Sequence, residues 1–234
     1  MPAIEGIFFD LDGTLLDTAE DFIVIINQML EDEGRPPMDT AVIRSLVSEG
    51  SRALMQEAFQ LQPGTELEKQ REHFLDYYDQ HICNHERESP ATTYPGALPL
   101  IDELERRGIA WGIVTNKPRA YATTLIQQAG LLERTHALVC PDDVEHPKPN
   151  PQALLLACQQ ANCAPAQSVY IGDHLRDIQA GKKAGMVTVA AHYGYILDGD
   201  NPWQWQADLN INTLTELHHQ LQQLNWKMPA KINN

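Results

Sequence analysis

The order of apolar segments constrains the fold of this chain more than any other feature of its sequence. Short apolar runs that are typical of buried strands alternate with helical patterns along most of its 234 residues. Strands are predicted at residues 4–9, 109–115, 136–140, 168–171, 186–191 and 207–211. This alternation predicts an α/β fold with a doubly wound, parallel, Rossmann-like sheet, followed by a tail that is expected to fray from Asn225 onward.

One long block interrupts the alternation directly after the first strand. No strand pattern occurs between residues 16 and 92, where apolar side chains recur at the spacing of helices. Four helices are predicted there, the first beginning near Thr18 and the third capped by Ser51. We therefore expect a core made of residues 1–15 and 93–234, with an inserted all-helical cap domain at residues 16–92.

The charge and composition of the chain limit its partners. Its 32 acidic and 17 basic residues give a formal net charge of −15, which disfavours nucleic acid and anionic membranes. The sequence has no apolar run of membrane-spanning length and no signal-peptide pattern, and its four cysteines form no C-x-x-C pair. We expect a cytoplasmic protein with reduced cysteines, acting as a monomer or a homodimer.

Polar side chains follow the predicted strands in four places. Because parallel strands have their C-terminal ends at one edge of the sheet, these side chains are expected to meet in one crevice. The four segments are Asp10-Leu11-Asp12, Thr115-Asn116-Lys117, the proline-flanked Lys148, and Gly172-Asp173 with the nearby Asp177. Carboxylates can hold Mg²⁺ and can also supply a nucleophile and an acid or base. The set suits phosphoryl transfer, although Asp177 alone could be a surface acid and Thr115-Asn116 a plain turn.

These four segments, in this order, resemble the motifs of the haloacid dehalogenase superfamily of phosphohydrolases. The resemblance covers essentially the whole chain, and the helical block is similar to the cap domain of that superfamily. It implies that Asp10 is the nucleophile, forming an aspartyl-phosphate, and that Asp12 is the general acid and then the base. It also implies Mg²⁺ as the cofactor, held by the Asp10 carboxylate, the Asp12 backbone carbonyl and Asp173.

The resemblance also assigns the groups around the phosphate. The segment Thr115-Asn116-Lys117 would bind the phosphoryl group of a small phosphorylated metabolite. Lys148 would neutralise charge on the nucleophile and the phosphate, and Asp177 would be a supporting acid near the metal or Lys148. Because a halide leaves without a proton, an acid at position 12 favours a phosphatase over a dehalogenase.

The expected substrate depends on finer resemblances. Residues 10–18 and 115–118 are most similar to the phosphoglycolate phosphatase group of the superfamily. A narrower resemblance is to the N-acetylmuramic acid 6-phosphate phosphatases of cell-wall recycling, carried by Cys140-Pro141-Asp142, Tyr193-Gly194-Tyr195 and residues 200–208. The expected reaction is hydrolysis of N-acetylmuramic acid 6-phosphate, with a phosphoglycolate phosphatase or a broad sugar-phosphate phosphatase as alternatives. Four converging charges argue against a non-catalytic binding module, and the Thr-Asn-Lys-Pro segment favours a hydrolase over a phosphomutase.

The cap is expected to select the substrate, because it closes over the phosphate pocket and excludes water. In its loop after the second helix, Arg52 could bind a substrate carboxylate or lie on the helix surface. Glu49 is unfavourable beside an anionic substrate, so either it points away or the substrate differs. Two further alternatives stay open: His174 either touches the site or faces solvent, and Tyr193 and Tyr195 either stack on a sugar or pack at the rim.

Overall fold

A computed structural model describes residues 3–83 and 89–227 of the chain. The strands of this part are β1 (Gly6–Phe9), β2 (Leu16–Asp17), β3 (Thr92–Thr93), β4 (Ala110–Val114), β5 (Ala137–Val139), β6 (Ser168–Gly172), β7 (Val187–Ala191) and β8 (Leu209–Ile211). The helices are α1 (Ala19–Asp32), α2 (Thr40–Leu46), α3 (Ser51–Phe59), α4 (Thr65–Ile82), α5 (Ala97–Arg107), α6 (Arg119–Gln128), α7 (Gln152–Gln160), α8 (Leu175–Ala184) and α9 (Leu214–Gln223). Within the described residues, no helix combines the length and the apolar character that crossing a membrane requires.

A six-stranded parallel sheet forms the centre of the described structure, in the order β5-β4-β1-β6-β7-β8. Strand β1 lies in the middle, with Phe8 opposite Gly112 of β4 on one side and opposite Tyr170 of β6 on the other. All four residues of β1 are buried, as expected where helices cover both faces of a parallel sheet. This architecture confirms the predicted doubly wound α/β fold.

The two faces of the sheet are covered by different helices. Successive side chains of a strand point to opposite faces, so Ile7 and Phe9 share one apolar cluster while Phe8 belongs to another. Residues of α5 and α9 join the cluster of Ile7, whereas residues of α7 and α8 join the cluster of Phe8. With both faces covered, the C-terminal edge of the strands is where polar side chains can collect.

The helices α1 to α4 pack together between β2 and β3, as expected for a cap. Their apolar faces meet around Phe22 of α1, whose ring centre lies 5.9 Å from that of Phe74 and 5.1 Å from that of Tyr78 in α4. Aromatic contacts of this kind add to the stabilisation that burial provides. We propose residues 16–92 as the cap domain, inserted into a core of residues 1–15 and 93–234.

Two details predicted for this segment are wrong. Leu16–Asp17 and Thr92–Thr93 pair as short antiparallel strands, so the insertion is not purely helical at its ends. A two-residue strand is too short to show a periodicity in the sequence. These two strands form only because segments that are distant in sequence meet in the fold. Ser51 is the first residue of α3 rather than its cap, and Gly50 holds the cap position with a φ of +85°.

The end of the described chain is packed rather than frayed. Trp226 is 5% exposed, and its carbonyl accepts a hydrogen bond from the Ile4 amide. The Arg107 guanidinium lies 4.6 Å from the centre of the indole ring, a favourable cation–π contact. The prediction that the chain frays from Asn225 is therefore wrong for residues 225–227, and beyond them it falls outside the described residues.

Candidate active site

The C-terminal end of β1 places the first acids at the edge of the sheet. The chain turns after Phe9, and the Leu11 amide donates a hydrogen bond to Asp10 Oδ1 at 2.7 Å. Gly13 follows with a φ of +74°, a left-handed conformation that favours glycine. A Cβ atom at Gly13 would lie 2.1 Å from Asp173 Oδ2, so a larger residue would push apart two of the predicted motifs.

Lys148 is buried between two of the predicted acids. Its Nζ lies 2.9 Å from Asp10 Oδ1 and 2.8 Å from Asp177 Oδ1, and it donates hydrogen bonds to Tyr170 Oη and the Val114 carbonyl. Burial disfavours the ammonium, but the two carboxylates outweigh this effect and raise the pKa of Lys148. Burial also raises the pKa of Asp10 to about 6, against the opposing charge of Lys148. The lysine therefore keeps its positive charge beside the candidate nucleophile.

Asp173 is a buried carboxylate that has no cationic side chain as a partner within the described residues. It accepts hydrogen bonds from Thr14 Oγ1 at 3.3 Å, from Ser48 Oγ at 3.0 Å and from the Tyr195 amide at 2.8 Å. Burial, followed by the charge of neighbouring carboxylates, raises its pKa well above the usual value. A negative charge at this position requires a cation that does not come from these side chains.

The acids at the sheet edge can supply such a cation site. Oxygen atoms of Asp10, Asp173 and Asp177 lie within 4.8 Å of one another, close enough to share a metal ion. Mg²⁺ prefers carboxylate oxygens, and it would offset the buried charge of Asp173. The residues present therefore fit the expected cofactor. Asp12, predicted to contribute its backbone carbonyl, has its carboxylate engaged elsewhere.

The carboxylate of Asp12 faces the cap. Its Oδ1 accepts a hydrogen bond from Thr18 Oγ1 at 2.5 Å and lies 3.0 Å from Lys117 Nζ. The same ammonium lies 5.0 Å from the ring centre of Phe22 and 4.8 Å from that of Tyr78, within the range of cation–π contacts. Lys117, which was expected to bind the phosphoryl group, thus connects a core acid to the aromatic cluster of the cap.

Thr115 and Asn116 lie where they were predicted, and both are partly used within the protein. The Asn116 side-chain amide donates to the Lys148 carbonyl at 3.0 Å and accepts from the Lys148 amide at 3.1 Å. Asn116 thereby holds the lysine loop against the end of β4. Thr115 Oγ1 accepts a hydrogen bond from the Lys117 amide at 3.1 Å, which leaves its hydroxyl hydrogen to donate to a ligand.

The cap loop around Ser48 closes over the acidic cluster. Besides the contact of Ser48 with Asp173, Glu49 Oε1 lies 2.6 Å from His174 Nε2 and 3.6 Å from the Arg176 guanidinium. Glu49 therefore points at basic groups of the core, which favours the alternative that it points away from an anionic substrate. His174 touches the rim of the site and also accepts a hydrogen bond from the Arg176 amide.

A cavity of about 250 Å³ lies between the core and the cap. Its core wall includes Asp10, Asp12, Thr115, Asn116, Lys117 and Lys148, and its cap wall includes Ser48, Ser51, Arg71, Phe74, Leu75 and Tyr78. Arg52, predicted to bind substrate, lies outside this lining: its side chain is 61% exposed and pairs with Glu68. The arginine of the cap wall is instead Arg71, which the sequence analysis misses. A cation on the otherwise apolar stripe of α4 is the signal that could identify it.

The two tyrosines that follow β7 support the turn after β1. Tyr195 Oη accepts hydrogen bonds from the Thr18 amide at 2.6 Å and the Ala19 amide at 2.9 Å, and Tyr195 is 2% exposed. Tyr193 Oη donates to the Thr14 carbonyl at 2.9 Å. These contacts favour the packing alternative over stacking on a sugar.

The fold and the site together define a class of α/β protein in which a parallel sheet presents clustered acids and a buried lysine beneath a helical cap. The sequence model of the haloacid dehalogenase-like hydrolase family matches residues 7–191 of this chain. The chain belongs to this family.

Individual relatives are similar over almost the whole chain. An N-acetylmuramic acid 6-phosphate phosphatase of Pseudomonas aeruginosa is 44% identical, over 92% of this chain and 93% of its own length. A phosphoglycolate phosphatase of Xanthomonas campestris pv. campestris is 38% identical, over 91% of this chain and 94% of its own. The crystal structure of a predicted phosphoglycolate phosphatase from Haemophilus somnus matches with a TM-score of 0.78 at 24% identity, covering 93% of this chain and 97% of that one. The structural match shows the shared fold.

Proposed function

We propose that this protein is a Mg²⁺-dependent phosphomonoesterase that works through an aspartyl-phosphate and hydrolyses N-acetylmuramic acid 6-phosphate. The observation that carries the chemistry is Lys148 Nζ 2.9 Å from Asp10, beside a cluster of acids that can share a metal ion. A carboxylate attacks an anionic phosphate only where negative charge is neutralised, and this arrangement provides both groups. Membership of the hydrolase family and the phosphatase relatives support this chemistry.

In the first step, an oxygen of Asp10 attacks phosphorus. The new bond joins this oxygen to phosphorus, while the bond between phosphorus and the ester oxygen breaks and its electron pair stays with the leaving oxygen. Asp12 donates a proton to that oxygen, so the product leaves as an alcohol. Lys148 offsets charge on the phosphoryl oxygens, and Thr115 and Asn116 lie where they can donate hydrogen bonds.

In the second step, water hydrolyses the aspartyl-phosphate. Asp12, now a carboxylate, accepts a proton from the water as its oxygen attacks phosphorus. The bond from phosphorus to Asp10 breaks, inorganic phosphate leaves, and both aspartates return to their starting state. Thr18 and Lys117, at 2.5 and 3.0 Å from Asp12 Oδ1, stabilise the carboxylate that Asp12 carries between the two steps.

The metal site of the proposal consists of Asp10, Asp173 and Asp177, together with the Asp12 carbonyl that the family resemblance implies. When bound, Mg²⁺ supplies charge neutralisation and orients the phosphoryl group. Asp177 has a second role, because its Oδ1 lies 2.8 Å from Lys148 Nζ and holds this ammonium beside Asp10.

The substrate assignment is supported by the relatives and by the cap wall. Two N-acetylmuramic acid 6-phosphate phosphatases are 44% and 41% identical, above the 38% of a phosphoglycolate phosphatase. Phe74, Leu75 and Tyr78 offer the cavity an apolar surface that suits the carbon skeleton of a sugar, whereas phosphoglycolate has only two carbons. The phosphoglycolate phosphatase relatives make that activity the second candidate, and a broad sugar-phosphate phosphatase is the third.

Phosphate release from a panel of esters tests the proposal. The specificity constant kcat/KM is measured with Mg²⁺ for N-acetylmuramic acid 6-phosphate, phosphoglycolate, glucose 6-phosphate and p-nitrophenyl phosphate. We expect a preference of roughly 100-fold for the first, which corresponds to about 2.7 kcal/mol. A preference for phosphoglycolate, or equal rates, would contradict the substrate alone, and no release from any ester would contradict the reaction.

We also propose that the protein acts in the cytoplasm on a small phosphorylated metabolite. Its four cysteines are free, which supports a reducing compartment. The net charge of −15 argues against nucleic acid and anionic membranes as partners. Light scattering after size-exclusion chromatography distinguishes the monomer from the homodimer.

A further inference from the structure

One face of helix α4 forms part of the cap wall of the cavity. Arg71, Phe74, Leu75 and Tyr78 all line the cavity, at the i, i+3, i+4 and i+7 spacing of a single helix face. Three of these side chains are apolar or aromatic. Arg71 is the exception, a permanent cation at the N-terminal end of the stripe.

The charge of Arg71 is weakly offset within the protein. Its Nη1 lies 3.7 Å from Glu68 Oε2, beyond hydrogen-bond distance. Both oxygens of Glu68 accept hydrogen bonds from Arg52, at 2.7 and 3.1 Å. The Nε of Arg71 donates to Ser51 Oγ at 3.2 Å, which orients the side chain without neutralising it. In the part of the chain that the structure describes, its two terminal nitrogens have no hydrogen-bond acceptor.

The two lysines of the cavity are engaged more closely. Lys148 and Lys117 each lie within 3.0 Å of a carboxylate of the catalytic motifs. Arg176, at the rim, donates from Nε to His174 Nδ1 at 3.1 Å and belongs to the contact with Glu49. The cation that the cap itself presents to the cavity is therefore Arg71.

Arg71 is held by the same cap loop that contacts the acidic cluster. Ser51, which accepts the hydrogen bond from Arg71, comes three residues after Ser48, which donates to Asp173. The cap loop thus connects the guanidinium to the acidic cluster through one short turn of chain. Asp10 and Arg71 both line this cavity, so a ligand bound in it can contact both residues.

The same wall carries a buried hydroxyl without a partner. Tyr78 is 2% exposed, and its Oη makes no hydrogen bond with any of the described residues. Burying an unsatisfied donor is costly. Because this hydroxyl is buried, Arg71 remains the polar group that this face of α4 presents to a ligand in the cavity.

We propose that Arg71 is a specificity-determining residue that binds a carboxylate of the substrate, at the end opposite the phosphate. This inference rests on the proposed function and deepens it, since it selects phosphate esters that also carry a carboxylate. The planar guanidinium can bind both carboxylate oxygens, while Phe74 and Leu75 contact the carbon skeleton. N-acetylmuramic acid 6-phosphate and phosphoglycolate both have such a carboxylate, whereas phosphate esters of neutral sugars do not.

Binding to a protein that cannot turn over its ligand tests this inference. In the Asp10→Asn background with Mg²⁺, calorimetric titration measures the Kd of N-acetylmuramic acid 6-phosphate and of N-acetylglucosamine 6-phosphate, which lacks the lactyl carboxylate. We expect Arg71→Ala to weaken binding of the first by roughly 30- to 100-fold and of the second by less than about threefold. Arg71→Lys keeps the positive charge but loses the planar guanidinium with its paired N–H donors. It should therefore restore part of the difference in Kd between the two ligands.

Matched variants separate a specific contact from a general loss of positive charge. Lys69 lies in the same helix, is 63% exposed and pairs with Glu66, so Lys69→Ala should leave both Kd values unchanged. Arg52→Ala tests the arginine that the sequence analysis considers for binding the substrate carboxylate. It should change the ratio of the two Kd values by less than about twofold. Thermal unfolding shows whether each variant is folded.

Two results would overturn the inference. The first is that Arg71→Ala, in a folded protein, weakens both ligands equally or neither of them. The second is that the preference for the carboxylate ester is lost in Arg52→Ala or Arg176→Ala and kept in Arg71→Ala.

The inference can fail independently of the proposed function. If the wild type releases no phosphate from N-acetylmuramic acid 6-phosphate but the Asp10→Asn protein still binds it through Arg71, the substrate is wrong and the inference stands. Phosphoglycolate compared with ethyl phosphate provides the same test for the second candidate substrate. If neither acid binds better than the ligand that lacks its carboxylate, the inference is wrong.

Discussion

The two walls of the cavity differ in how completely their polar groups are paired. On the core wall, Lys148 contacts two carboxylates and two further oxygens, and Asn116 uses both ends of its amide on the lysine loop. On the cap wall, Arg71 has a carboxylate only at 3.7 Å, and Tyr78 has a hydroxyl without a partner among the described residues.

This difference indicates that the two walls have different functions, catalysis for the core wall and substrate selection for the cap wall. Groups that are fixed before the substrate arrives can stabilise a transition state that all phosphate esters share. Groups that complete their hydrogen bonds only with a ligand distinguish one ester from another. Variants of the core wall should therefore change the rate for every ester, and variants of the cap wall should change the ratio between esters.

The largest expected effect is that of Asp10→Asn. The amide has nearly the same shape but is a poor nucleophile, so kcat should fall by roughly 10⁴-fold or more for every ester. Phosphate release from p-nitrophenyl phosphate and from N-acetylmuramic acid 6-phosphate measures this effect. If one ester were still hydrolysed at the original rate, the core wall would be selecting substrates and the comparison would fail.

Asp173→Asn should lower activity and raise stability together. Without this carboxylate the metal site is incomplete, so kcat/KM should fall by roughly 100-fold or more for all esters. The substitution also removes a buried charge that has no cationic partner among the described side chains, so the Mg²⁺-free variant should have a higher Tm at neutral pH than the wild type. Added Mg²⁺ should raise the Tm of the wild type more than that of the variant.

Asp173 also makes the free energy of unfolding depend on pH in a predictable direction. Burial raises the pKa of Asp173 in the folded protein above the value of about 3.9 expected in the unfolded chain. At a pH between these two pKa values, the native state binds more protons at Asp173 than the unfolded state does. The contribution of Asp173 to the free energy of unfolding therefore falls as pH rises. Thermal unfolding in EDTA from about pH 4 to 8 should show the advantage of Asp173→Asn growing with pH. An advantage that shrinks with pH would contradict this assignment.

Lys148→Met should destabilise the fold as well as lower the activity. It would leave Asp10 and Asp177 buried without their cation, which should lower the free energy of unfolding by roughly 3 kcal/mol. Lys183→Met is the control, because Lys183 is exposed and, among the described residues, donates only to the Pro149 carbonyl. Its effect in urea unfolding should stay below about 0.5 kcal/mol. Equal losses in the two variants would show that the buried position of Lys148 has no special importance.

Glu49→Gln should have the smallest effect. The amide keeps the shape of the side chain but removes the charge that faces His174 and Arg176, and this partly exposed contact contributes little. Closure of the cap should weaken slightly, so KM should rise about two- to fivefold for every ester, with kcat unchanged. A change in the ratio between esters would instead place Glu49 among the groups that select the substrate.

The secondary structure is predictable wherever local signals mark its ends. Helices α5 and α8 each end at a glycine with positive φ, Gly108 and Gly185, and a glycine at this position is a stop signal that the sequence itself shows. The pairing of β2 with β3 has no such signal, since it arises only when residues about 75 positions apart meet. The burial of Trp226 is not predictable for a similar reason, because the side chains that cover it, such as Arg107, belong to other parts of the chain.

The sequence by itself determined the parallel core, the inserted helices and the meeting of Asp10, Lys148 and Asp173. It could do so because strand and helix periodicity are local, and because parallel strands must end at one edge. Only the tertiary structure decided that Arg71, and not Arg52, faces the cavity. The packing of α3 and α4 sets the direction of each helix face, and spacing along the chain does not carry that information.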